Sequence, residues 1–320
     1  MTGAFGNIGE SSLLALFSKG YDIRCFDLFT KNNEKKQKQL SRRGKFETVW
    51  GDIQEKIYLE PIFEGVDCVI HLAGIIPPLS EQKPTLARGV NLEGTRNMLE
   101  VAEGQEQVPK FIFAGSVSAF GPTMHLQPPR TINDPLIATD TYTETKIECE
   151  KLVRASSLPW TILRFAAAPP MNVGTNIDPI LFEIPLDQRI EFVHSRDVGL
   201  ACANAVEADT VGKTLLIGGG KSGQMLQREF LSKFMEAMGM EMPPDSAFKI
   251  ATKPEEYFYT DWLDTEESQR LLKFQTRTFD QYLEEMKSMM GMKRHIAKLF
   301  KGQAMKRILD ASPYYSGVDH

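Results

Sequence analysis

Met1-Thr2-Gly3-Ala4-Phe5-Gly6-Asn7-Ile8-Gly9 opens this 320-residue chain and indicates its fold. Glycines at positions 3, 6 and 9 remove Cβ atoms from a turn that runs straight into an apolar helical stretch. Such a turn brings backbone N–H groups close to a pyrophosphate and lets the following helix pack tightly on a sheet. The stretch therefore predicts a phosphate-binding turn, although glycines also cluster in ordinary turns.

A turn of this kind normally follows a buried strand of about five apolar residues. Only Met1 and Thr2 precede Gly3. We therefore expect that the sequence begins inside a longer reading frame or lacks its first strand, which would leave the central position of the sheet without its strand.

Composition narrows the functional classes. The chain is 42% hydrophobic and 25% charged, and its net charge of -5 gives no basic surface for nucleic acid. It contains no basic-then-apolar leader and no apolar run near the ~18 residues of a membrane span, so a cytoplasmic protein with a small-molecule partner is expected. Four scattered cysteines without a C-x-x-C pair predict reduced core thiols and no metal site: Cys25, Cys68, Cys149 and Cys202.

Short apolar stretches alternate with helical ones along the first half of the chain. This alternation predicts βαβ units, and hence a doubly wound, Rossmann-type α/β fold with a parallel sheet whose ligands lie at the carboxyl ends of the strands. The predicted strands are 21–26, 46–50, 67–72 and 111–115, and the predicted helices are 8–19 and 86–102. Residues 31–45 are polar and basic, which predicts a solvated crossover.

Asp27 ends the first of these strands, 18 residues beyond Gly9. A carboxylate near this position would hold an adenosine ribose 2′-OH and repel a 2′-phosphate, so NAD is favoured over NADP. Arg24 and Lys31 are close enough in sequence to leave NADP as the alternative. His71 ends another apolar strand and is interpreted as a core histidine with satisfied hydrogen bonds.

Tyr142 and Lys146 are the predicted catalytic pair. Four residues apart on a predicted helix, they project from one face. A phenol with a pKa near 10 exchanges protons poorly at neutral pH, and a nearby ammonium group lowers that pKa. Ser116, which follows a buried strand, adds a hydroxyl that can hold a substrate oxygen. This set suits hydride transfer at an alcohol carbon.

The chain resembles an extended short-chain dehydrogenase/reductase of the NAD-dependent epimerase/dehydratase family. The resemblance covers most of the chain in family order. The matching stretches are 2–9, Gly51-Asp52-Ile53, His71-Leu72-Ala73-Gly74, 91–97, Phe113-Ala114-Gly115-Ser116, 142–146, Thr161-Ile162-Leu163-Arg164 and 192–198.

The resemblance implies a role for each matching residue. Tyr142 would be the catalytic acid/base, Lys146 would hold the nicotinamide ribose and tune Tyr142, and Ser116 would bind the reacting oxygen. Asp27 would bind the adenosine ribose. The other implied cofactor-binding residues take the pyrophosphate, contact the adenine or line the cofactor: Gly3, Gly6, Asn7, Ile8, Gly9, Asp52, Ile53, Leu72, Ala73, Gly74 and Asn91.

Two departures from the family pattern bear on the reaction. Val117 and Ser118 stand where dehydratases of the family carry an Asp-Glu pair, so elimination of water is disfavoured. Only residues 165–191 fill the segment that usually grips a nucleotide sugar. A nucleotide-sugar epimerase is therefore the first hypothesis. A carbonyl reductase or alcohol dehydrogenase acting on a smaller substrate and a non-catalytic dinucleotide sensor are the alternatives.

The domain prediction is an NAD-binding domain at 1–165 and a smaller substrate lobe at 166–320, with 192–217 returning to the sheet. The basic tail 293–307 is interpreted as a surface helix, with binding to an anionic membrane as the less favoured alternative. Paired helices commonly form a dimer interface in this family. The resemblance therefore makes a homodimer one candidate for the assembly of this chain.

Overall fold

A computed structural model describes residues 1–171, 179–291 and 301–316 of the chain. Its strands, numbered in chain order, are β1 (Arg24–Asp27), β2 (Glu47–Trp50), β3 (Cys68–His71), β4 (Lys110–Ser116), β5 (Trp160–Phe165), β6 (Arg189–Glu191), β7 (Lys213–Ile217) and β8 (Gln224–Leu226). Two parallel arrays, β2-β1 and β3-β4-β5-β7, carry the fold, and β6 pairs antiparallel with β8.

Thr2 joins the two parallel arrays. It forms parallel bridges to Phe26 of β1 and His71 of β3, and its N–H donates to the Ile70 carbonyl over 3.0 Å. The sheet order is therefore β2-β1-Thr2-β3-β4-β5-β7, which confirms the predicted α/β class with a parallel sheet. On one side of Thr2, a cavity of about 780 Å³ lies between β1 and β3.

The helices cover the sheet and build the C-terminal part of the chain. The principal ones are α1 (Asn7–Phe17), α2 (Lys31–Leu40), α3 (Glu60–Phe63), α4 (Leu79–Gln82), α5 (Pro84–Arg88), α6 (Gly94–Glu103), α7 (Thr141–Ala155), α8 (Ile180–Glu183), α9 (Ser195–Ala205), α10 (Gln227–Met238), α11 (Glu266–Leu272), α12 (Phe279–Met290) and α13 (Lys301–Asp310).

The structure refines three details of the sequence prediction. The helix predicted at 86–102 extends from 84 to 103 and contains a π-helical turn at Gly89–Glu93. Residues 31–40 of the predicted crossover form α2, which Thr30 caps by accepting from the Asn33 N–H. The first predicted strand begins at Arg24 instead of Tyr21, because pairing with β2 begins only at the Arg24–Glu47 register.

The apolar core divides into clusters on either side of the sheet and a further cluster in the C-terminal half. In the latter, Phe192 packs against Phe279 and Tyr282, with ring centroids 5.0 Å apart in both pairs. Ile308 of α13 is buried in the same cluster. The division into domains at residue 165 stays a prediction, and residues 292–300 of the predicted tail lie outside the described residues.

Helices α1 and α9 pack so closely that Gly199 cannot carry a side chain without movement. A Cβ atom at Gly199 would lie 2.3 Å from the Ser11 carbonyl carbon and 2.6 Å from the Ser12 nitrogen. Both are backbone atoms, so a neighbouring side chain cannot relieve the clash by changing rotamer.

Replacing Gly199 by Ala should lower the free energy of unfolding by about 1–3 kcal/mol, the usual range for overpacking a core. Gly104→Ala is the matched control, because a Cβ atom there meets its nearest neighbours at 3.6 Å, an ordinary contact distance. Denaturant titration measures both. Equal stability of the two variants would contradict this account of the helix contact.

Candidate active site

The glycine turn lies directly against the end of β3. Gly3 has φ +62°, and a Cβ atom there would lie 2.7 Å from the Ala73 nitrogen. A Cβ atom at Gly9 would lie 2.1 Å from the Gly3 carbonyl oxygen, so the first turn of α1 also needs glycine. The structure thus brings together the predicted pyrophosphate turn and the predicted cofactor-lining residues Leu72, Ala73 and Gly74.

The N-terminus of α1 opens at this turn. The first amide groups of a helix have no intrahelical partner, and together with the helix dipole they favour an anion. Gly6 is the N-cap residue and is exposed. The Asn7 side chain is used elsewhere, since it donates to the Ala168 carbonyl over 3.0 Å, and Ile8 packs against the core. These two residues can therefore offer an anion their backbone groups rather than their side chains.

Asp27 ties the end of β1 to the glycine turn. Its carboxylate accepts hydrogen bonds from the backbone N–H groups of Phe5 and Leu28 at 2.9 and 2.8 Å, and from the Asn33 amide at 3.2 Å. Burial raises the pKa of Asp27 above its usual value, and the two backbone donors oppose that shift. The residue lies where the sequence predicts the ribose carboxylate, and Asn33 is a partner that the sequence did not indicate.

Asp52 and Ile53, predicted to contact an adenine, have separate environments. The Asp52 carboxylate accepts from the Gln54 backbone N–H over 2.9 Å and also from the Gln54 side-chain amide. Ile53 is only 5% exposed, and a Cβ atom at Gly94 would lie 2.5 Å from its side chain. The Ile53 side chain is therefore part of the core, and the adenine contact of this pair stays a prediction.

Helix α7 presents the predicted catalytic pair beside β4. The Lys146 ammonium lies 5.8 Å from the centre of the Tyr142 ring and donates to the Ala114 carbonyl over 2.7 Å. Ala114 lies two residues before Ser116 on β4, so the three predicted catalytic residues share one edge of the sheet. The Ser116 hydroxyl lies 2.8 Å from the Ser118 hydroxyl and accepts from the Ser118 N–H.

Asn91, in the π-helical turn, connects the cofactor-lining segment to the catalytic helix. Its amide accepts from the Ile75 N–H at 2.7 Å and donates to the Ile75 carbonyl at 3.0 Å and the Thr145 hydroxyl at 3.1 Å. A Cβ atom at Gly74 would lie 3.3 Å from the Asn91 amide oxygen and 3.9 Å from the Lys146 ammonium. Asn91 therefore lies within the predicted site, and the structure adds Thr145 to it.

His71 is a core histidine, as the sequence predicts. Its Nδ1 lies 2.7 Å from the Thr2 hydroxyl and its Nε2 lies 3.0 Å from the Thr95 hydroxyl. Burial, and then the charge of Lys146, lowers the pKa of His71 to about 3, so the ring is neutral at physiological pH. A neutral ring that uses both nitrogens in hydrogen bonds is suited to structure rather than proton transfer.

Other kinds of site receive no support in the described part of the chain. Within residues 1–171, 179–291 and 301–316, no cluster of His, Cys, Asp and Glu side chains could hold a metal ion. None of the helices described there is both long and apolar enough to cross a bilayer. All four cysteines are free thiols.

Comparison with known proteins identifies the family. The model of the 3-beta hydroxysteroid dehydrogenase/isomerase family matches residues 1–159. A UDP-glucose 4-epimerase from Lacticaseibacillus casei is 24% identical over 288 residues, which cover 79% of this chain and 85% of that protein. The chain belongs to the extended short-chain dehydrogenases/reductases of the NAD-dependent epimerase/dehydratase family.

Members of this extended family similar to the chain differ in their named activities. A 3-beta-hydroxysteroid dehydrogenase from Mycolicibacterium neoaurum is 28% identical over 159 residues, and the match spans 48% of this chain and only 41% of that protein. A solved UDP-glucuronic acid 4-epimerase from Bacillus cereus, in complex with UDP-glucuronic acid and NAD, aligns with a TM-score of 0.74 at 20% identity. That alignment covers 90% of this chain and 96% of the epimerase chain, and it shows that the two share a fold.

The neutral state of His71 predicts an acid-dependent loss of stability. Below about pH 6.5 the unfolded chain protonates this ring, whereas the folded protein keeps it neutral down to about pH 3. The free energy of unfolding should fall by about 1.4 kcal/mol per pH unit over that range on account of His71. Urea titrations at several pH values should show this slope as the difference between wild type and His71→Gln.

The exposed His125 provides the control, since His125→Gln should retain the pH dependence of the wild type. If His71→Gln loses stability on acidification as steeply as wild type does, His71 is not the buried neutral group described above.

Proposed function

We propose that this chain is an NAD-dependent oxidoreductase of the epimerase type, which moves a hydride at a secondary alcohol or ketone carbon. The observation that carries the proposal is the position of Lys146. Its ammonium lies one helical turn from Tyr142, 5.8 Å from the ring centre, and bonds the strand that ends in Ser116. A phenol, an ammonium group and a hydroxyl at one sheet edge suit proton transfer at an alcohol oxygen.

The residues at the sheet edge fit a dinucleotide. Gly3 and Gly9 have no room for a Cβ atom, and the amide groups that open α1 are available for a pyrophosphate. Asp27 would hold the adenosine ribose, and Ala73, Gly74 and Lys146 would line the nicotinamide half. Bound NAD supplies the acceptor, or as NADH the donor, of a hydride.

Three side chains orient the substrate, transfer its proton and stabilise the charge that results. The Ser116 hydroxyl donates to the substrate oxygen and orients it. Tyr142, as the phenolate, takes the proton of the substrate hydroxyl while the carbon loses its hydride. The Lys146 ammonium stabilises that phenolate through its charge. In the opposite direction, Tyr142 returns the proton to the carbonyl oxygen, so one group serves as base and then as acid.

A nucleotide-sugar epimerase is the specific activity that we propose first. The UDP-glucose 4-epimerase relative aligns over most of both chains, and the fold is that of a UDP-glucuronic acid 4-epimerase. Epimerisation uses Tyr142 twice, once to remove a proton and once to return it. The chain carries Val117 and Ser118 in place of the acidic pair of dehydratases, which argues against elimination.

A dehydrogenase or reductase acting on a smaller or more apolar alcohol is the second candidate. The match to the hydroxysteroid dehydrogenase family covers residues 1–159, the half that holds Ser116, Tyr142 and Lys146. The segment at 165–191 is also short for gripping a diphosphate-linked sugar. Residues 172–178 of that segment lie outside the described residues.

Replacing Tyr142 by Phe should lower kcat by about 10²- to 10⁴-fold, the usual contribution of a general acid/base, with NAD affinity nearly unchanged. Tyr257→Phe is the control, because the Tyr257 hydroxyl bonds Asp187 and takes no part in the proposed chemistry. Turnover and NAD titration measure the two effects. Retained turnover in Tyr142→Phe would remove Tyr142 from the mechanism.

Cofactor balance separates the two candidate activities. With a UDP-sugar, an epimerase changes the sugar without net formation of NADH, whereas a dehydrogenase forms one NADH for each alcohol oxidised. The absorbance of NADH formed during turnover and chromatography of the sugar products measure this difference, and native mass spectrometry of the purified protein shows whether NAD stays bound. Binding of NAD without turnover of any alcohol or ketone offered would instead favour the non-catalytic sensor.

Asp27→Asn should weaken NAD binding by about 10- to 150-fold, since a hydrogen bond to a charged group is worth about 1.5–3 kcal/mol. It should also narrow the preference for NAD over NADP, because the repulsion of a 2′-phosphate disappears. Asp67→Asn is the control, since Asp67 precedes β3 at the opposite sheet edge and bonds Gln107. Equal NAD affinity in wild type and Asp27→Asn would contradict the ribose assignment.

A further inference from the structure

Tyr142 lies in the first turn of its helix, where fewer backbone hydrogen bonds hold the chain than in the middle. It is the second residue of α7, and the first-turn N–H groups of a helix have no intrahelical partner. Helix ends fray for this reason. A proton-transferring group must nevertheless be held in a fixed position relative to its substrate. The residues that fix the first turn of α7 therefore bear on the function of Tyr142.

Two carboxylates account for the three leading N–H groups of α7. Asp140, the N-cap residue, accepts from the Thr143 N–H over 2.7 Å. Glu81, which is 60 residues away in sequence, accepts from the Thr141 N–H over 3.0 Å with one oxygen. The other Glu81 oxygen accepts from the N–H of Tyr142 itself over 3.1 Å.

Glu81 belongs to the segment that follows the predicted cofactor-lining residues. That segment leaves β3 through Gly74 and Ile75, where Asn91 holds both backbone groups of Ile75. It then forms the short helix α4, which carries Glu81 to the start of α7. One segment, from 75 to 82, thus connects the cofactor side of the site to the first turn that carries Tyr142.

We propose that Glu81 is a positioning residue, whose carboxylate fixes the first turn of α7 and thereby holds the Tyr142 ring 5.8 Å from the Lys146 ammonium, at the sheet edge that carries Ser116. This inference rests on the proposed function for its effect on turnover. We call the two hydrogen bonds that Glu81 accepts from the N–H groups of Thr141 and Tyr142 the clamp. The clamp does not depend on the proposed function.

Several other charged and titratable groups face this turn. Asp140 lies at its start, and Lys146 lies one turn further along the helix. Glu144 pairs with Arg88 on the outside of α7. Tyr259 approaches from the C-terminal half of the chain. Burial raises the pKa of Tyr259, and the charge of Asp140 and then of Glu81 adds to the shift. Removing the Glu81 carboxylate takes away the acceptor of the Thr141 and Tyr142 N–H groups. Removing the Glu144 carboxylate takes a charge from the same turn and leaves those two hydrogen bonds in place.

The test compares Glu81→Ala and Glu81→Gln with Glu144→Gln. Glu81→Ala removes both acceptors, so kcat should fall by about 10-fold, with unchanged NAD affinity and substrate KM, as expected when a reacting group is misplaced. Glu81→Gln keeps one acceptor oxygen and should restore part of that loss. Glu144→Gln removes a negative charge from the same turn without losing a bond to the backbone, and it should retain wild-type kcat.

Hydrogen exchange at the amides of Thr141 and Tyr142 provides a readout that does not depend on turnover. Both amides should exchange faster in Glu81→Ala than in wild type, and Glu144→Gln should leave them unchanged. If the wild-type protein turns over no substrate, the proposed function fails while exchange still tests the clamp. Wild-type exchange and kcat in Glu81→Ala, or an equal loss of kcat in Glu144→Gln, would overturn the proposal.

Discussion

The absence of space for a Cβ atom at Gly3 and Gly9 is the constraint on which the site depends. A Cβ at Gly9 would lie 2.1 Å from the Gly3 carbonyl oxygen, and one at Gly3 would lie 2.7 Å from the Ala73 nitrogen. Because these backbones nearly touch, the start of α1 lies beside the end of β3. Gly199 extends the same close packing to α9. The sheet edge where ligands bind in this fold is therefore set by backbone contacts rather than by side chains.

A second constraint is the anchoring of α7. Glu150, one turn beyond Lys146, forms a two-armed ion pair with Arg164 of β5, and both side chains are buried. Breaking a buried pair of this kind leaves an uncompensated charge, which costs about 3–5 kcal/mol. The middle of α7 is thus fixed to the sheet by an ion pair, and its first turn is held by hydrogen bonds to carboxylates. Tyr142 lies in the turn with the weaker attachment.

The sequence indicated those features of the candidate site that depend on local chemistry. Three of these features depend only on neighbours close in sequence, so the sequence alone indicates them. They are the glycine spacing, the strand-end acid Asp27 and the four-residue separation of Tyr142 and Lys146. His71 was correctly assigned to the core, since an apolar strand surrounds it. Glu81 was not predicted, because its partners lie 60 residues away and nothing in its own segment indicates them.

The buried position of Ile53 was missed for a related reason. Its contact with Gly94 arises from packing between distant segments, whereas the sequence shows only that it follows Asp52 at a strand end. The π-helical turn around Asn91 was hidden as well, since hydrophobic spacing does not separate it from the α-helices on either side.

The proposed cofactor site spans the two parallel strand arrays. Asp27 lies at the end of β1 in one array, and Ser116 lies at the end of β4 in the other. A dinucleotide bound as proposed would contact both arrays and act as a cross-link between them. Its binding energy would then oppose separation of the two arrays, so the cofactor would stabilise the fold as well as take part in the reaction.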